Sequence, residues 1–236
     1  GPEDDAKQIE CINNAVADQA DAILLAANGP DADVAALKEA DAAGVKIVYV
    51  DSPANYEGIQ TLATDNKSAG KSGGEEMLKA LEAAGITSGK IGIITPNAAT
   101  NSNVNREMGF KEALEGAGFE ILETSTAKAM RLNQRILPPT ISRRGALVSS
   151  DAMSCTVGIG NAIREAGTDV MGIGFDKSDT ILELVKEGSL VCTITQNPDL
   201  MGYEGIKTAV KALKGEEVGE SYVDTGVSIV DAEALK

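Results

Sequence analysis

The sequence predicts an α/β fold in which parallel sheets are covered by helices on both faces. Three observations carry that expectation. Short apolar runs, among them Ala22–Ala27, KIVYV at Lys46–Val50, Lys90–Thr95 and Val170–Phe175, alternate with longer stretches of helical periodicity. The runs are nearly continuous in apolar residues rather than alternating, which marks strands buried on both faces. Most are followed by a polar residue or loop and then a helix, the rhythm of repeated βα units.

The composition narrows the chemistry. With 236 residues, 25 glycines, 3% aromatic residues and neither Trp nor His, the core must be built from Ile, Val, Leu and Ala. Absence of His removes the commonest general base and metal ligand, and no GxSxG elbow is present. The formal charge of −15 repels nucleic acid and anionic membrane. Arg131, Arg135, Arg143 and Arg144 form the only dense basic cluster. The three cysteines, Cys11, Cys155 and Cys192, follow no metal-ligand spacing and read as buried small hydrophobes. No signal peptide opens the chain and no apolar run is long enough to span a membrane. Neither cofactor nor metal is expected.

Taken in order, Gly1 and Pro2 lead into a helix on which Ile9, Ile12 and Val16 share a face. The Ala22–Ala27 strand, NGPD and a helix over Ala32–Ala43 follow, closed by Gly44. KIVYV ends in Asp51, Ile59–Asn66 is extended, and a long helix spans Ser68–Ala84. GKSGG beside that helix start lacks the GxxxxGK[ST] spacing, so close packing is expected there rather than phosphate binding. The Lys90–Thr95 strand opens into PNAATNSN and a helix over Val104–Gly116, with Arg106 in its first turn. A cation there opposes the helix dipole, which favours a directed role for Arg106.

Phe119–Thr126 reads as a strand, Ala127–Leu137 as a helix and PPTISRR as an irregular link whose prolines stop that helix. The Ala146–Ser149 strand ends in Ser150 and Asp151, and a helix spans Met153–Ala166. Val170–Phe175 ends in Asp176, a helix runs Ser178–Lys186, and Val191–Thr195 ends in Gln196. A Leu200–Leu213 helix and an extended Tyr222–Val230 segment complete about eight strand candidates.

Asp51, Asp176 and Gln196 thus stand at strand ends, with Ser150, Asp151 and Arg106 on adjoining loops or helix starts. Ligands in open α/β sheets sit outside the strand carboxyl ends. Carboxylates, an amide and a guanidinium suit a neutral ligand rich in hydroxyls, because Asp accepts, Arg donates through a rigid fork and Gln does both. The competing reading of each aspartate is a helix cap, and for Asp151 the two stand level. Two carboxylates could run glycoside hydrolysis, but a neighbouring arginine would lower their pKa values rather than raise one. The GxG in VMGIGFD lacks the third glycine of a dinucleotide fingerprint.

The order YVDS, TDNKSAGK, NREMGF, SSDAM, GIGFDKSD, TITQNP resembles the periplasmic sugar-binding proteins of bacterial ABC importers. The resemblance is to the ribose-binding type, which shares its fold with LacI-type repressor effector domains. It implies a type I periplasmic-binding-protein-like fold, with two doubly wound parallel-sheet lobes around a cleft. The first lobe would be residues 1–64 with 197–225, lacking its opening β-α-β segment and the aromatics that stack on the sugar. The second would be 66–196 with 226–236. Crossings are expected near Asp65–Asn66, just after Gln196 and near Thr225–Gly226, with Asp65, Asn66 and Gln196 as hinge residues.

By the same resemblance Arg106, Asp176 and Gln196 hydrogen-bond sugar hydroxyls, with Asp51 and Ser150 as further ligand contacts. Ser52 stands where the family often has arginine, and Ser150 where it often has asparagine, so the sugar need not be ribose. The function implied is capture of a sugar or polyol by lobe closure, without bond chemistry, and delivery to the membrane subunits of an ABC permease. A chemoreceptor is a further partner, and a segment from another chain could supply the missing opening. The implied location is the periplasm after signal removal, or, in a Gram-positive bacterium, the extracellular side, anchored to the membrane. The alternatives are a sugar-responsive LacI-type effector domain and an α/β enzyme acting on carbohydrate.

Overall fold

The computed structural model describes residues 4–97, 100–126, 144–149, 153–167 and 169–236. α1 (Asp5–Ala17), β1 (Ala22–Leu25), α2 (Val34–Ala42), β2 (Lys46–Val50) and β3 (Gln60–Ala63) come first. α3 (Asn66–Ala83), β4 (Gly89–Thr95), α4 (Asn101–Leu114), β5 (Phe119–Ile121), β6 (Ser125–Thr126) and β7 (Arg144–Ser149) follow. α5 (Met153–Ala166), β8 (Asp169–Phe175), α6 (Asp179–Lys186) and β9 (Cys192–Gln196) lead to α7 (Pro198–Leu213), β10 (Tyr222–Asp224) and β11 (Val227–Asp231).

These elements form two units. One comprises residues 1–64 with 197–226, the other 65–196 with 227–236. In the first, β1, β2, β3 and β10 lie side by side in that order, every pair parallel. Ile47 and Tyr49 of β2 pack with Leu25, Leu37 and Ile12 on one face, while Val48 joins Leu62 and Ala209 on the other. That alternation along one strand is why KIVYV carries no polar position except at its start. Gly205 of α7 lies against Leu24 and Val50, and the same helix leaves Tyr203, Ile206, Val210 and Leu213 exposed on its outer side.

The second unit carries the strand order β11-β9-β8-β7-β4-β5, with β6 also pairing β4. All of its pairs are parallel except β11 with β9, where Val227 lies opposite Gln196 in antiparallel register. Ile91 and Ile93 of β4 pack with Met77, Leu81, Phe110 and Ile173 on one face. Ile94 turns to the other, among Ile159, Ile163, Ile181 and Leu184 of α5 and α6.

Several expectations need correction. The extended Tyr222–Val230 segment is two strands, β10 in the first unit and β11 in the second, separated at Thr225 and Gly226. Gly226 has φ 65°, a left-handed turn that no sequence periodicity encodes. Cys155 and Cys192 are buried, but Cys11 is exposed on α1. Helix α4 begins at Asn101, not Val104, because the polar residues read as loop form its first turn. The expected Ala127–Leu137 helix and most of PPTISRR, with Arg131, Arg135 and Arg143, lie outside the described residues, as do Ser150 and Asp151.

Candidate functional site

In the second unit the chain leaves β4 towards β5 on one side, then returns to β7 and proceeds to β8 and β9 on the other. The order reverses between β4 and β7, so the carboxyl ends of these strands form the topological switch point at which open α/β sheets bind ligands. Helix α4, which follows β4, carries Arg106. Its start is fixed by a buried Asn103, whose amide donates to the Asn97 carbonyl at 2.8 Å.

Arg106 is only 3% exposed. Its Nε donates to Asn66 Oδ1 at 2.8 Å, and its guanidinium carbon lies 4.3 Å from the centroid of the Phe175 ring. A buried guanidinium is costly without such partners, and an aromatic face supplies favourable quadrupole contact. Because α4 starts earlier than expected, Arg106 occupies the second turn, and the conflict with the helix dipole does not arise. Its backbone is held as closely. A Cβ on Gly70 would coincide with the Arg106 carbonyl oxygen, and one on Gly109 with that of Lys67. Helices α3 and α4 therefore meet backbone to backbone where Arg106 is presented.

Asp176 follows Phe175 in left-handed conformation, φ 73°. That region is uncommon outside glycine, although Asp and Asn tolerate it, and such residues cluster at functional sites. The conformation is held by Asp176 N–H donating to the Ile194 carbonyl at 2.9 Å, and by Thr193 Oγ1 donating to the Asp176 carbonyl at 2.7 Å. Its Oδ2 accepts from the Met153 amide at 2.8 Å, the first residue of α5. The capping alternative thus applies to Asp176 across space: it serves α5, while Ser178 caps the following helix at Ile181. Gln196 ends β9, half-buried, two residues beyond the Ile194 that pairs Phe175.

Asp65 is the N-cap of α3, its Oδ1 accepting from Lys67 and Ser68 amides at 3.0 Å. The hydrogen bonds from Ser68, backbone first, hold its carboxyl below the usual range. Asn66 is the first residue of that helix and the partner of Arg106, a pairing invisible at forty residues' separation. The first unit holds Asp51, exposed at the end of β2, with φ 64° and its N–H on the Leu62 carbonyl at 2.8 Å. Asn28 belongs with it. Ala27 and Ser52 exchange hydrogen bonds of 2.8 and 2.9 Å, which sets Asn28 at the same strand edge as Asp51. The strand-end rule that singled out Asp51 would have found Asn28 as well.

A cavity of about 740 Å³ opens at the opposite, amino-terminal edge of the second sheet, lined by Ile86, Val170 and Gly188 among others. Among the described residues of its lining Asp169 is the only ionisable side chain, in contrast to the polar groups at the switch-point edge.

The family described as "Periplasmic binding protein domain" matches residues 1–217. The chain belongs to that family. Among periplasmic binding proteins it is similar to the ribose import binding protein of Escherichia coli (strain K12), at 30% identity over 215 residues, 84% of this chain and 68% of that one. It is likewise similar in structure to the sugar-binding protein of a sugar ABC transporter from Bacillus halodurans, with TM-score 0.84 and 26% identity, covering 98% of this chain and 84% of that chain. The solute-binding protein of a carbohydrate transporter from Agrobacterium radiobacter, solved with D-arabinose, gives TM-score 0.77 and 29% identity over 99% and 81% of the respective chains. As a periplasmic binding protein it has the type I α/β architecture with parallel sheets. Among the described residues no helix is long and apolar enough to cross a membrane.

Proposed function

We propose that this chain is the sugar-binding receptor of an ABC-type importer, taking a sugar or polyol through its hydroxyls and passing it unchanged to a membrane permease. The observation that carries the reading is Arg106: a buried cation held by Asn66 and Phe175 at the switch point, beside a left-handed Asp176. A guanidinium donor and a carboxylate acceptor at one strand edge are what vicinal hydroxyls require. Gln196 adds a group that donates and accepts. Asp51 is the residue of the first unit assigned to the ligand, and Ser150 completes the set. The similarity to ribose and arabinose receptors supports a pentose or a related sugar. Binding without turnover, in the periplasm or at the outer face of the membrane, is the expectation in keeping with a solute-binding family.

Calorimetry against pentoses, hexoses and polyols, D-ribose and D-arabinose included, tests the reading. At least one should bind, and Arg106→Ala should weaken it about a hundredfold, roughly 2.7 kcal/mol, the scale of a lost charge-assisted hydrogen-bond pair. Silence across the panel, or ligand converted to product after long incubation by mass spectrometry, would overturn it.

A further inference from the structure

We propose that Asn66 is the positioning residue for Arg106, the side chain that sets where the guanidinium points and therefore which sugar hydroxyls it can reach. The inference rests on the receptor reading above but is carried by its own geometry. A guanidinium has one Nε–H and two terminal nitrogens in a fixed plane. The Nε–H of Arg106 is committed to Asn66 Oδ1 at 2.8 Å, and its guanidinium carbon lies over the Phe175 ring, 4.3 Å from the centroid. A bond at Nε and an aromatic ring in contact with the guanidinium carbon restrict its rotation. In this reading ligand oxygens are met by the terminal nitrogens.

Asn66 is itself held. It is the first residue of α3, immediately after Asp65, whose carboxylate takes the Lys67 and Ser68 amides. Asn66 is thus relieved of capping duty. Where α3 passes α4, Gly70 abuts the Arg106 carbonyl and Gly109 the Lys67 carbonyl, fixing the register of one helix on the other. The chain enters the second unit between Thr64 and Asp65, so Asn66 lies two residues from that crossing. Asn66, expected as a hinge residue, would in this proposal also link the crossing to a ligand contact.

The test uses the whole chain and has one arm with no ligand. In arginine-labelled protein, with the resonance assigned by Arg106→Lys, the Arg106 Nε–H should exchange slowly with solvent. Asn66→Ala should make exchange fast, while Asn66→Asp, which keeps an acceptor oxygen, should restore protection. By calorimetry with the best-bound sugar of the panel, Asn66→Ala should weaken affinity about tenfold, the effect of a misaligned charged hydrogen bond. Asn66→Asp should stay near wild type, and in an Arg106→Lys background Asn66→Ala should have no further effect. Unchanged Nε–H exchange in Asn66→Ala, or an equal loss in both backgrounds, would overturn the proposal. A wild-type chain that binds no sugar at all would instead sink the receptor reading, and the exchange arm would still decide the positioning role.

Discussion

Thr156 Oγ1 holds both backbone polar groups of Phe175, accepting its N–H at 3.0 Å and donating to its carbonyl at 2.8 Å, entirely within the core. Gly174 makes this possible, since a Cβ there would collide with the Thr156 side chain. One hydroxyl on α5 thereby fixes the residue whose ring supports Arg106. Thr156→Val, equal in shape but without the hydroxyl, should destabilise the fold by about 1–3 kcal/mol through unpaired buried backbone groups. Urea unfolding measures this, and a change below a few tenths of a kcal/mol would contradict it.

The α3–α4 contact gives a harsher outcome. Gly109→Ala forces a methyl group into the Lys67 carbonyl, which cannot retreat without moving α3. We expect a loss of about 3 kcal/mol or more, beyond the usual cost of overpacking, because backbone rather than a flexible side chain must give way. Gly158→Ala, with open space around its position, serves as the control and should be neutral or slightly stabilising. Comparable midpoints for the two variants would refute the contact.

Two aspartates should titrate stability in opposite senses. Asp33 is fully buried, and neither carboxylate oxygen has a partner. Burial, and then the charge of Asp5, pushes its pKa above the ordinary 3.8. Its ionised form is disfavoured in the fold, so the penalty is absent below 3.8, grows as pH rises through the folded value and persists at neutrality. Asp33→Asn should therefore stabilise at neutral pH by about 1 kcal/mol, and the gain should vanish near pH 3.

Asp65 behaves conversely. Its pKa is lowered, chiefly by the Ser68 amide, so its contribution is full above 3.8 and is lost as pH falls through the lower folded value. Asp65→Ala should cost about 1 kcal/mol at neutral pH and progressively less in acid. Unfolding series for both variants across pH decide the signs, and parallel profiles would refute the assignment.

Thiol labelling separates the cysteines. Cys11 is exposed, Cys155 is buried, and burial raises the Cys192 thiol to about 12. At neutral pH native protein should take up a single maleimide, at Cys11, and denatured protein one at each cysteine. Rapid labelling of Cys192 in the native state would contradict its burial.

Much of the second unit's architecture was legible because continuous apolar strands and amphipathic helices leave periodic traces. The strand-end rule reached Asp51, Asp176 and Gln196 from local pattern alone. What it missed depends on contacts distant in sequence. Asn66 meets Arg106 across two helices, and Asp176 caps α5 at Met153, 23 residues earlier in the chain. The start of α4 was misread because Asn and Ser are poor helix formers whose place in the first turn is decided by capping rather than propensity. The fully buried Asp33 escaped notice since an acid in the first turn of the expected Ala32–Ala43 helix reads as a solvated side chain favoured by the helix dipole.

The outer side of β1 bears on how the protein behaves in a tube. Among the described residues no strand pairs with that edge. A cavity of about 390 Å³ runs along it beside Cys11, Ile12 and Ile23, and α7 exposes Tyr203, Ile206 and Val210. An open strand edge flanked by apolar surface is an invitation to adhere. The formal charge of −15 counters it by mutual repulsion between copies. That protection is screened by salt, over a distance of about 10 Å at 0.1 M. Turbidity should therefore increase with ionic strength, opposite to an assembly held by ion pairs, and dilute, low-salt buffers should keep the preparation clear.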